Sequence, residues 1–221
     1  MMHEPPRQHE RTRTVTIGPV GLEGIVGLPE ASAGIVLFAH GSGSGRFSPR
    51  NNFVAQRLRA AGIATLLFDL LTEEEAQDRG NVFDIPLLAE RLSMATAWVK
   101  QDRETASLPV GYFGASTGAA AALVAASSGA SPIAAVVSRG GRPDLAGPAL
   151  AKVTAPTLLI VGGDDLTVLG LNRAALAALR CEKHLAVVPG ATHLFEEPGA
   201  LEAVVDLAVR WFASHLAKGA A

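Results

Sequence analysis

Short apolar runs alternate with longer segments of helical spacing along most of the chain. Runs such as GIVLFAH, IATLLFD and PTLLIVGG are almost continuously hydrophobic, which is typical of strands buried on both faces of a sheet. Segments between them, such as DIPLLAERLSMATAWVKQ, place apolar residues three or four positions apart, as a packed helix requires. Because parallel strands need helical crossovers, the pattern predicts an α/β fold with a doubly wound, mostly parallel sheet and helices on both faces.

The N-terminal region departs from this alternation. Residues 1–12 are rich in proline and charge and are predicted to be a mobile tail, whereas residues 13–221 are expected to form one domain. The runs TRTVTI and LEGIVGLP flank a turn that contains Gly18, Pro19 and Gly21. The alternation within these runs predicts two antiparallel strands ahead of the parallel ones.

Two later segments bear on how much substrate the fold could cover. Between Ser138 and Pro156 there is room only for a short loop and a turn or two of helix, so no large cap domain is expected. The segment from Leu70 to Pro86 can form a rim, with the acidic residues 73–75 turned to solvent. Since this segment has few apolar residues, we expect a rim that cannot enclose a long chain, and therefore a small substrate.

Composition narrows the classes of partner. The chain has 221 residues, of which 48% are hydrophobic, and a formal net charge of −2, so no positive potential would attract nucleic acid or anionic lipid. The single cysteine, Cys181, cannot form an internal disulfide and is interpreted as a packing residue, and no Cys/His group has structural-zinc spacing. With no signal-like or membrane-spanning run, the chain is expected to be cytoplasmic, with neither a membrane nor a nucleic acid as partner.

The first motif with chemical content is Gly114-Ala-Ser-Thr-Gly118, which fits the pattern G-x-S-x-G. It lies between a predicted buried strand and an alanine-rich helix, which is where a nucleophile elbow must lie. Such an elbow holds the serine in a strained turn and needs small residues on both sides so that strand and helix can approach. Ser116 is therefore a candidate nucleophile. The alternative is that Ser116 only caps the helix that follows.

A nucleophilic serine requires a base and a group that orients the base. Asp164 and Asp165 follow one later strand, and His193 follows the next. The resulting chain order of serine, aspartate and histidine is that of α/β hydrolases. Either aspartate could serve on this reasoning, and His193 is the candidate base.

A glycine-rich loop follows the first parallel strand, in the run LFAHGSGSGRF. Loops at this position bring a backbone N–H group to the oxyanion formed during acyl transfer. By position, the two donors are the backbone N–H groups of Ser42 and of Thr117, the residue after the candidate nucleophile. His40 precedes the loop and is expected to shape it rather than to react.

Together these motifs resemble the dienelactone hydrolase-like group of α/β hydrolases. FAHGSGSGRFSPRN, GASTG, VGGDDLTV and PGATHLFEEPGALE occur in the order of that family, from about residue 13 onward. The family pattern G-x-x-D-x-x-V is matched by Gly162 to Val168 and favours Asp165 as the triad acid, leaving Asp164 as a solvated or capping residue. Dienelactone hydrolases proper carry cysteine as nucleophile, whereas this chain has Ser116, which favours a serine esterase.

The resemblance also implies a substrate-binding residue. Dienelactone hydrolases use arginine to hold a substrate carboxylate, and Arg139 lies just beyond the carboxyl end of a predicted strand, facing the crevice where α/β proteins bind ligands. Arg139 is therefore a candidate anion holder, and a plain surface arginine is the alternative.

The sequence thus predicts a serine hydrolase that cleaves small carboxylic esters or lactones through an acyl-enzyme. No cofactor and no metal are implied, and the chain is expected to be a monomer or homodimer. One alternative is a non-catalytic binding protein with this fold. Another is a dinucleotide-binding protein, since a glycine loop and the later Asp69 imitate that fold, but Arg46 stands where the third glycine of G-x-G-x-x-G is required.

Overall fold

The computed structural model describes residues 10–217, and its core is an eight-stranded sheet in the order β1-β2-β4-β3-β5-β6-β7-β8. The strands are β1 (Arg11–Ile17), β2 (Leu22–Leu28), β3 (Ile35–Ala39), β4 (Ala64–Phe68), β5 (Val110–Ala115), β6 (Ile133–Arg139), β7 (Thr157–Gly162) and β8 (Lys183–Val188). The α-helices are α1 (Pro49–Ala60), α2 (Arg79–Phe83), α3 (Ile85–Gln101), α4 (Thr117–Ser127), α5 (Leu166–Ala178) and α6 (Ala200–Leu216). Two 3₁₀ segments cover Glu75–Gln77 and Pro143–Lys152.

The sheet is mixed at one edge and parallel elsewhere. β1 pairs antiparallel with β2 and β2 antiparallel with β4, whereas β3 to β8 pair in parallel. The structure confirms the predicted α/β fold with a doubly wound, mostly parallel sheet.

The predicted tail differs from the structure at its boundary. Residues 1–9 lie outside the described residues, but Arg11 and Thr12 already belong to β1, where they pair with Leu28 and Gly27. The polar side chains of this edge strand remain compatible with pairing because the ladder uses backbone groups. Charged residues on the strand also find partners, as Arg13 does in Asp102 at 2.6 Å.

Hydrophobic side chains fill both faces of the sheet. One face packs mainly against α3 and α4, and the other packs against α1 and α6 around Phe38, Phe113 and Phe212. Helix α4 consists largely of alanine, and its residues from Ala119 to Leu123 are completely buried. Small side chains let this helix lie close to the sheet, so that its N-terminus stands directly above the end of β5.

The connection between β6 and β7 holds only the 3₁₀ segment, so the expected absence of a large cap is confirmed. Within residues 10–217, none of the helices is long and apolar enough to cross a membrane.

The segment between β4 and α3 forms a rim, and it differs from the sequence prediction in one respect. Glu75 is not simply turned to solvent, since its carboxylate accepts a hydrogen bond of 2.6 Å from the buried Arg91 of α3 and another of 3.0 Å from the Thr72 N–H. These bonds lower the pKa of Glu75, the Thr72 N–H most strongly. The acidic run predicted to be solvated therefore supplies an anchor for the rim.

Candidate active site

Ser116 lies at the sharp turn between β5 and α4. Its backbone has φ 51° and ψ −122°, a region that residues with a side chain rarely adopt. Although Ser116 occupies the N-cap position of α4, its side chain makes no capping hydrogen bond. The helix-cap alternative therefore has no support in the structure, and the strained turn needs another explanation.

Gly114 and Gly118 make this turn possible. A Cβ built on Gly114 would lie 2.4 Å from Ala119 Cα, and one on Gly118 would lie 2.1 Å from the carbonyl oxygen of Ala39. Both distances are too short for any side chain, so only glycine lets α4 approach β3 and β5 this closely. The turn is further held by the Ser116 carbonyl, which accepts a 3.0 Å hydrogen bond from the Arg142 N–H.

Asp165 and His193 are brought together from the carboxyl ends of β7 and β8. The Nδ1 atom of His193 lies 2.8 Å from Oδ2 of Asp165, while Oδ1 of Asp165 accepts a 3.3 Å hydrogen bond from the Val168 N–H at the start of α5. The aspartate is thereby fixed at both oxygens. Asp164 is exposed, so of the two aspartates left open by chain order it is Asp165 that contacts the histidine.

The hydrogen bond to Asp165 also determines the tautomer of His193. Because a carboxylate only accepts hydrogen bonds, Nδ1 carries a proton, and in the neutral ring Nε2 is then the acceptor. The loop after β6 lies beside this ring, since a Cβ built on Gly140 would be 3.7 Å from His193 Cε1. No contact between the Ser116 hydroxyl and this ring is recorded among residues 10–217, and catalytic hydrogen bonds commonly tighten only when substrate binds.

The glycine-rich loop after β3 reaches the same place. A Cβ built on Gly41 would lie 2.9 Å from Ser116 Cβ, so the loop backbone passes directly beside the serine. The Ser42 N–H donates to the Thr117 hydroxyl at 3.2 Å. Ser42 and Thr117 are therefore neighbours, and the Ser42 N–H is bound by the Thr117 hydroxyl; their role as oxyanion donors stays a prediction.

His40 connects this loop to the rim. Its Nδ1 lies 2.9 Å from the Gly41 carbonyl and its Nε2 lies 3.0 Å from the Leu70 nitrogen. A carbonyl can only accept and an N–H can only donate, so both contacts require the neutral, Nδ1-protonated ring. Burial lowers the pKa of His40 below its ordinary 6.5, which favours the same form. His40 thus shapes the loop, as its position in the sequence suggests.

Arg139 is buried beside the serine, with 8% of its surface exposed. Its carbonyl accepts the Ser116 N–H at 3.3 Å, but its guanidinium Nε and Nη1 are buried and have no hydrogen-bond partner among residues 10–217. Burial, and secondarily the charge of Arg50, lowers the pKa of Arg139 to about 10. Arg50 itself pairs at 2.9 Å with Glu196, on the loop that carries His193.

A pocket of about 300 Å³, here called the rim pocket, opens between the glycine-rich loop after β3 and the rim. It shares Gly41, Ser42 and Thr117 with the elements around Ser116, and its apolar walls are Leu70, Leu71, Ala76, Val82 and Leu88. The pocket was not predicted from the sequence, because Leu88 belongs to a core helix and Val82 lies on a short one. No local pattern marks it, because its walls come from segments that are far apart in the chain.

The residues that imitate a dinucleotide-binding fold are paired with each other. Asp69 accepts a 2.7 Å hydrogen bond from the Arg46 N–H and also forms an ion pair with the Arg46 guanidinium. Asp69 is therefore not free to bind a ribose. In the part of the chain that the structure describes, no three His, Cys, Asp or Glu side chains are grouped as a metal ion would need.

Comparison with known proteins finds solved structures that are similar to this chain. A crystal structure of a dienelactone hydrolase from Anabaena variabilis is 55% identical to this chain with a TM-score of 0.89, covering 95% of this chain and 99% of that one. Est1E from Butyrivibrio proteoclasticus, at 16% identity, shares the fold with a TM-score of 0.75 over 92% of this chain and 99% of its own.

A relative from Mycobacterium tuberculosis, named as a candidate phosphoribosyl transferase, is 60% identical over 213 residues, which are 96% of this chain and 48% of the relative. The chain therefore spans about half the length of that curated relative. The model of the dienelactone hydrolase family matches residues 22–209, which confirms the resemblance drawn from the sequence motifs. The chain belongs to the dienelactone hydrolase family.

Proposed function

We propose that this chain is a serine hydrolase that cleaves small carboxylic esters or lactones. The observation that carries the proposal is the strained backbone of Ser116, whose side chain makes no capping bond. Strain of this kind persists where the surrounding structure enforces it, and it is concentrated at functional sites. The hydrogen-bonded pair of Asp165 and His193 at the ends of neighbouring strands supports the same reading.

In the proposed reaction the Ser116 hydroxyl attacks the substrate carbonyl while His193 Nε2 accepts its proton. Asp165 keeps the imidazole in the required tautomer and stabilises the imidazolium. The backbone N–H groups of Ser42 and Thr117 bind the oxyanion of the tetrahedral intermediate. His193 then protonates the leaving alcohol. In the second step His193 accepts a proton from the water molecule that attacks the acyl-enzyme, and it returns that proton to the Ser116 oxygen as the carboxylic acid leaves.

The proposed substrate also carries an anionic group that Arg139 binds. A buried charge without a partner is costly, and a structure retains one where something else offsets that cost. The Arg139 backbone contacts that of Ser116 and two of its guanidinium nitrogens are buried without a partner among residues 10–217, so a substrate carboxylate bound there would offset the cost. Arg50 repels the Arg139 guanidinium and so offers it no compensating charge.

A covalent probe tests the proposed nucleophile directly. Wild-type protein treated with a fluorophosphonate is expected to gain the mass of one phosphonyl group, and Ser116→Ala is expected to gain none and to lose hydrolysis of p-nitrophenyl acetate. Ser214→Ala, which changes an exposed serine on α6, serves as the matched control. Absence of labelling in folded wild-type protein would favour the non-catalytic alternative.

The name of the M. tuberculosis relative suggests phosphoribosyl transfer as a second activity. That name describes a protein about twice as long, so the transferase activity need not reside in the part that this chain matches. Incubation with phosphoribosyl diphosphate and a purine base, followed by an assay for pyrophosphate, separates the two activities. We expect no pyrophosphate from this chain, and its release would identify a transferase.

A further inference from the structure

We infer that the rim pocket binds an uncharged, apolar part of the substrate, while the group next to Arg139 is the charged one. This inference rests on the proposed hydrolase function, because it treats the pocket as part of the same substrate site. It adds the chemical class of the group that the second side of the site accepts.

The position of the rim pocket is the first reason. Its lining includes Ser42 and Thr117, the two residues proposed to hold the oxyanion, and Gly41, whose backbone passes beside Ser116. A group in this pocket would therefore be only a few bonds from a carbonyl held at the serine. The pocket is placed to select a substituent of the reacting ester rather than an unrelated ligand.

The chemistry of the walls is the second reason. The side chains of Leu70, Leu71, Val82 and Leu88 present hydrocarbon to the pocket. His40, a half-buried ionisable residue of the lining, has both ring nitrogens engaged by the protein's own backbone. A charged ligand group would lose its hydration against these hydrocarbon walls, whereas a hydrocarbon group would lose nothing.

Asp69 also lines the pocket but is neutralised from within the protein. Both of its carboxylate oxygens are bound by Arg46, one by the backbone N–H and the other by the guanidinium. Asp69 therefore has little capacity left to attract a cationic ligand. The exposed Glu73 stands at the solvent side of the lining, where water screens its charge.

The rim is held in place before any substrate arrives, which is the third reason. Glu75 accepts a 2.6 Å hydrogen bond from Arg91 of α3, and its carbonyl accepts a 2.9 Å hydrogen bond from the Asn81 side chain. The Leu70 N–H is bound by His40 at 3.0 Å. A wall anchored at these points forms a ready-made cavity, as small-molecule sites usually are.

The size of the cavity limits what it accepts. A volume of about 300 Å³ holds about ten non-hydrogen atoms if each takes about the 30 Å³ that a water molecule occupies in the liquid. A phenyl or short branched group fits this volume and a long fatty chain does not. The rim thus encloses more apolar surface than its own sequence suggests, because α3 contributes Leu88.

Binding of a neutral probe tests the inference without relying on turnover. Methyl NMR spectra of the Ser116→Ala variant are recorded with increasing benzyl alcohol, a probe of eight non-hydrogen atoms. We expect saturable shifts of the methyl groups of Leu70, Leu71, Val82 and Leu88. Sodium acetate is expected to leave these signals unchanged. No shift at these methyl groups, or equal shifts with acetate, would overturn the inference.

Two variants, one that fills the pocket and one that enlarges it, provide the kinetic test. We expect Ala76→Phe, at an exposed position of the rim, to lower the kcat/KM of ethyl 3-phenylpropanoate or phenyl acetate relative to ethyl acetate by at least fivefold. Leu88→Ala is expected to raise the kcat/KM of the phenyl-bearing esters relative to ethyl acetate. Ala174→Phe, at an exposed position on α5, is the matched control and should leave all three rates unchanged.

The results separate this inference from the proposed function. Saturable methyl shifts in a protein that hydrolyses no ester would overturn the hydrolase function while keeping an apolar ligand site. Ester hydrolysis that depends on Ser116, together with ratios unchanged in both pocket variants, would overturn the apolar subsite and keep the hydrolase.

Discussion

Two regions near the Ser116 turn, the rim pocket and the surroundings of Arg139, satisfy their polar groups in opposite ways. Around the rim pocket, His40, Asp69 and Glu75 are all bound by other groups of the protein, and the leucine and valine side chains of the lining present hydrocarbon to the cavity. On the side of Arg139, a buried guanidinium keeps two nitrogens without a partner among the residues described. Folding alone gains nothing from an unpaired buried charge. The polar groups of the rim therefore serve stability, whereas Arg139 relies on a ligand.

The largest effect is expected from the aspartate that orients His193. Asp165→Asn should lower kcat by about 10,000-fold, because the amide favours the wrong tautomer of His193. Asp164→Asn, the neighbouring exposed aspartate, is the matched control and should change kcat little. Steady-state kinetics on p-nitrophenyl acetate measure both variants, and the reverse ranking would show that Asp164 is the orienting acid.

Removal of the Arg139 charge should have the next largest effect. We expect activity to fall and stability to rise. Arg139→Met is expected to lower kcat/KM for a carboxylate-bearing ester about 10- to 100-fold relative to a neutral one, as the loss of a hydrogen bond to a charged group does. The free energy of unfolding is expected to rise by about 1–4 kcal/mol, because an apolar side chain replaces a buried charge.

The sign of that stability change follows from the lowered pKa of Arg139. A pKa of about 10 in the folded protein means that folding disfavours the charged form, so the cost is present at all pH values below about 10. Thermal unfolding at pH 7 measures the change, with Arg173→Met on the exposed face of α5 as control. A lower melting temperature in Arg139→Met would show that the arginine already has a stabilising partner.

A smaller effect is expected from loosening the rim. Glu75→Gln should destabilise the protein by about 1–3 kcal/mol, because the buried Arg91 loses its charged partner. The preference for phenyl-bearing esters should fall with it if the rim walls the pocket. Glu74→Gln is the matched control, since Glu74 is exposed and adjacent. Equal melting temperatures for the two variants would contradict the anchoring role of Glu75.

The smallest effect is expected from pH acting on His40. Its pKa is lowered in the folded protein by burial, so below pH 6.5 the unfolded chain takes up a proton first and stability falls as the pH decreases. His40→Asn should show a shallower decrease, while His184→Asn at an exposed position should follow the wild type. Urea unfolding at a series of pH values measures the slopes, and identical slopes in all three proteins would refute this prediction.

The elements that depend on short patterns could be predicted from the sequence. The buried runs predicted the parallel strands, and the small residues of Gly114-Ala-Ser-Thr-Gly118 predicted a turn at Ser116. Both depend on steric and hydrophobic rules that act within a few residues, so no knowledge of the rest of the fold is needed. The neighbouring positions of Ser42 and Thr117 followed because parallel strands end at one edge of the sheet.

The tertiary structure decided how the side chains are paired. The contact of Asp165 rather than Asp164 with His193, the anchoring of Glu75 by Arg91 and the isolation of Arg139 each depend on residues far apart in the chain. Local patterns show which residues are charged but not which of them meet once the strands are ordered. Whether a buried charge is satisfied depends on every group packed around it, and that environment exists only in the folded chain.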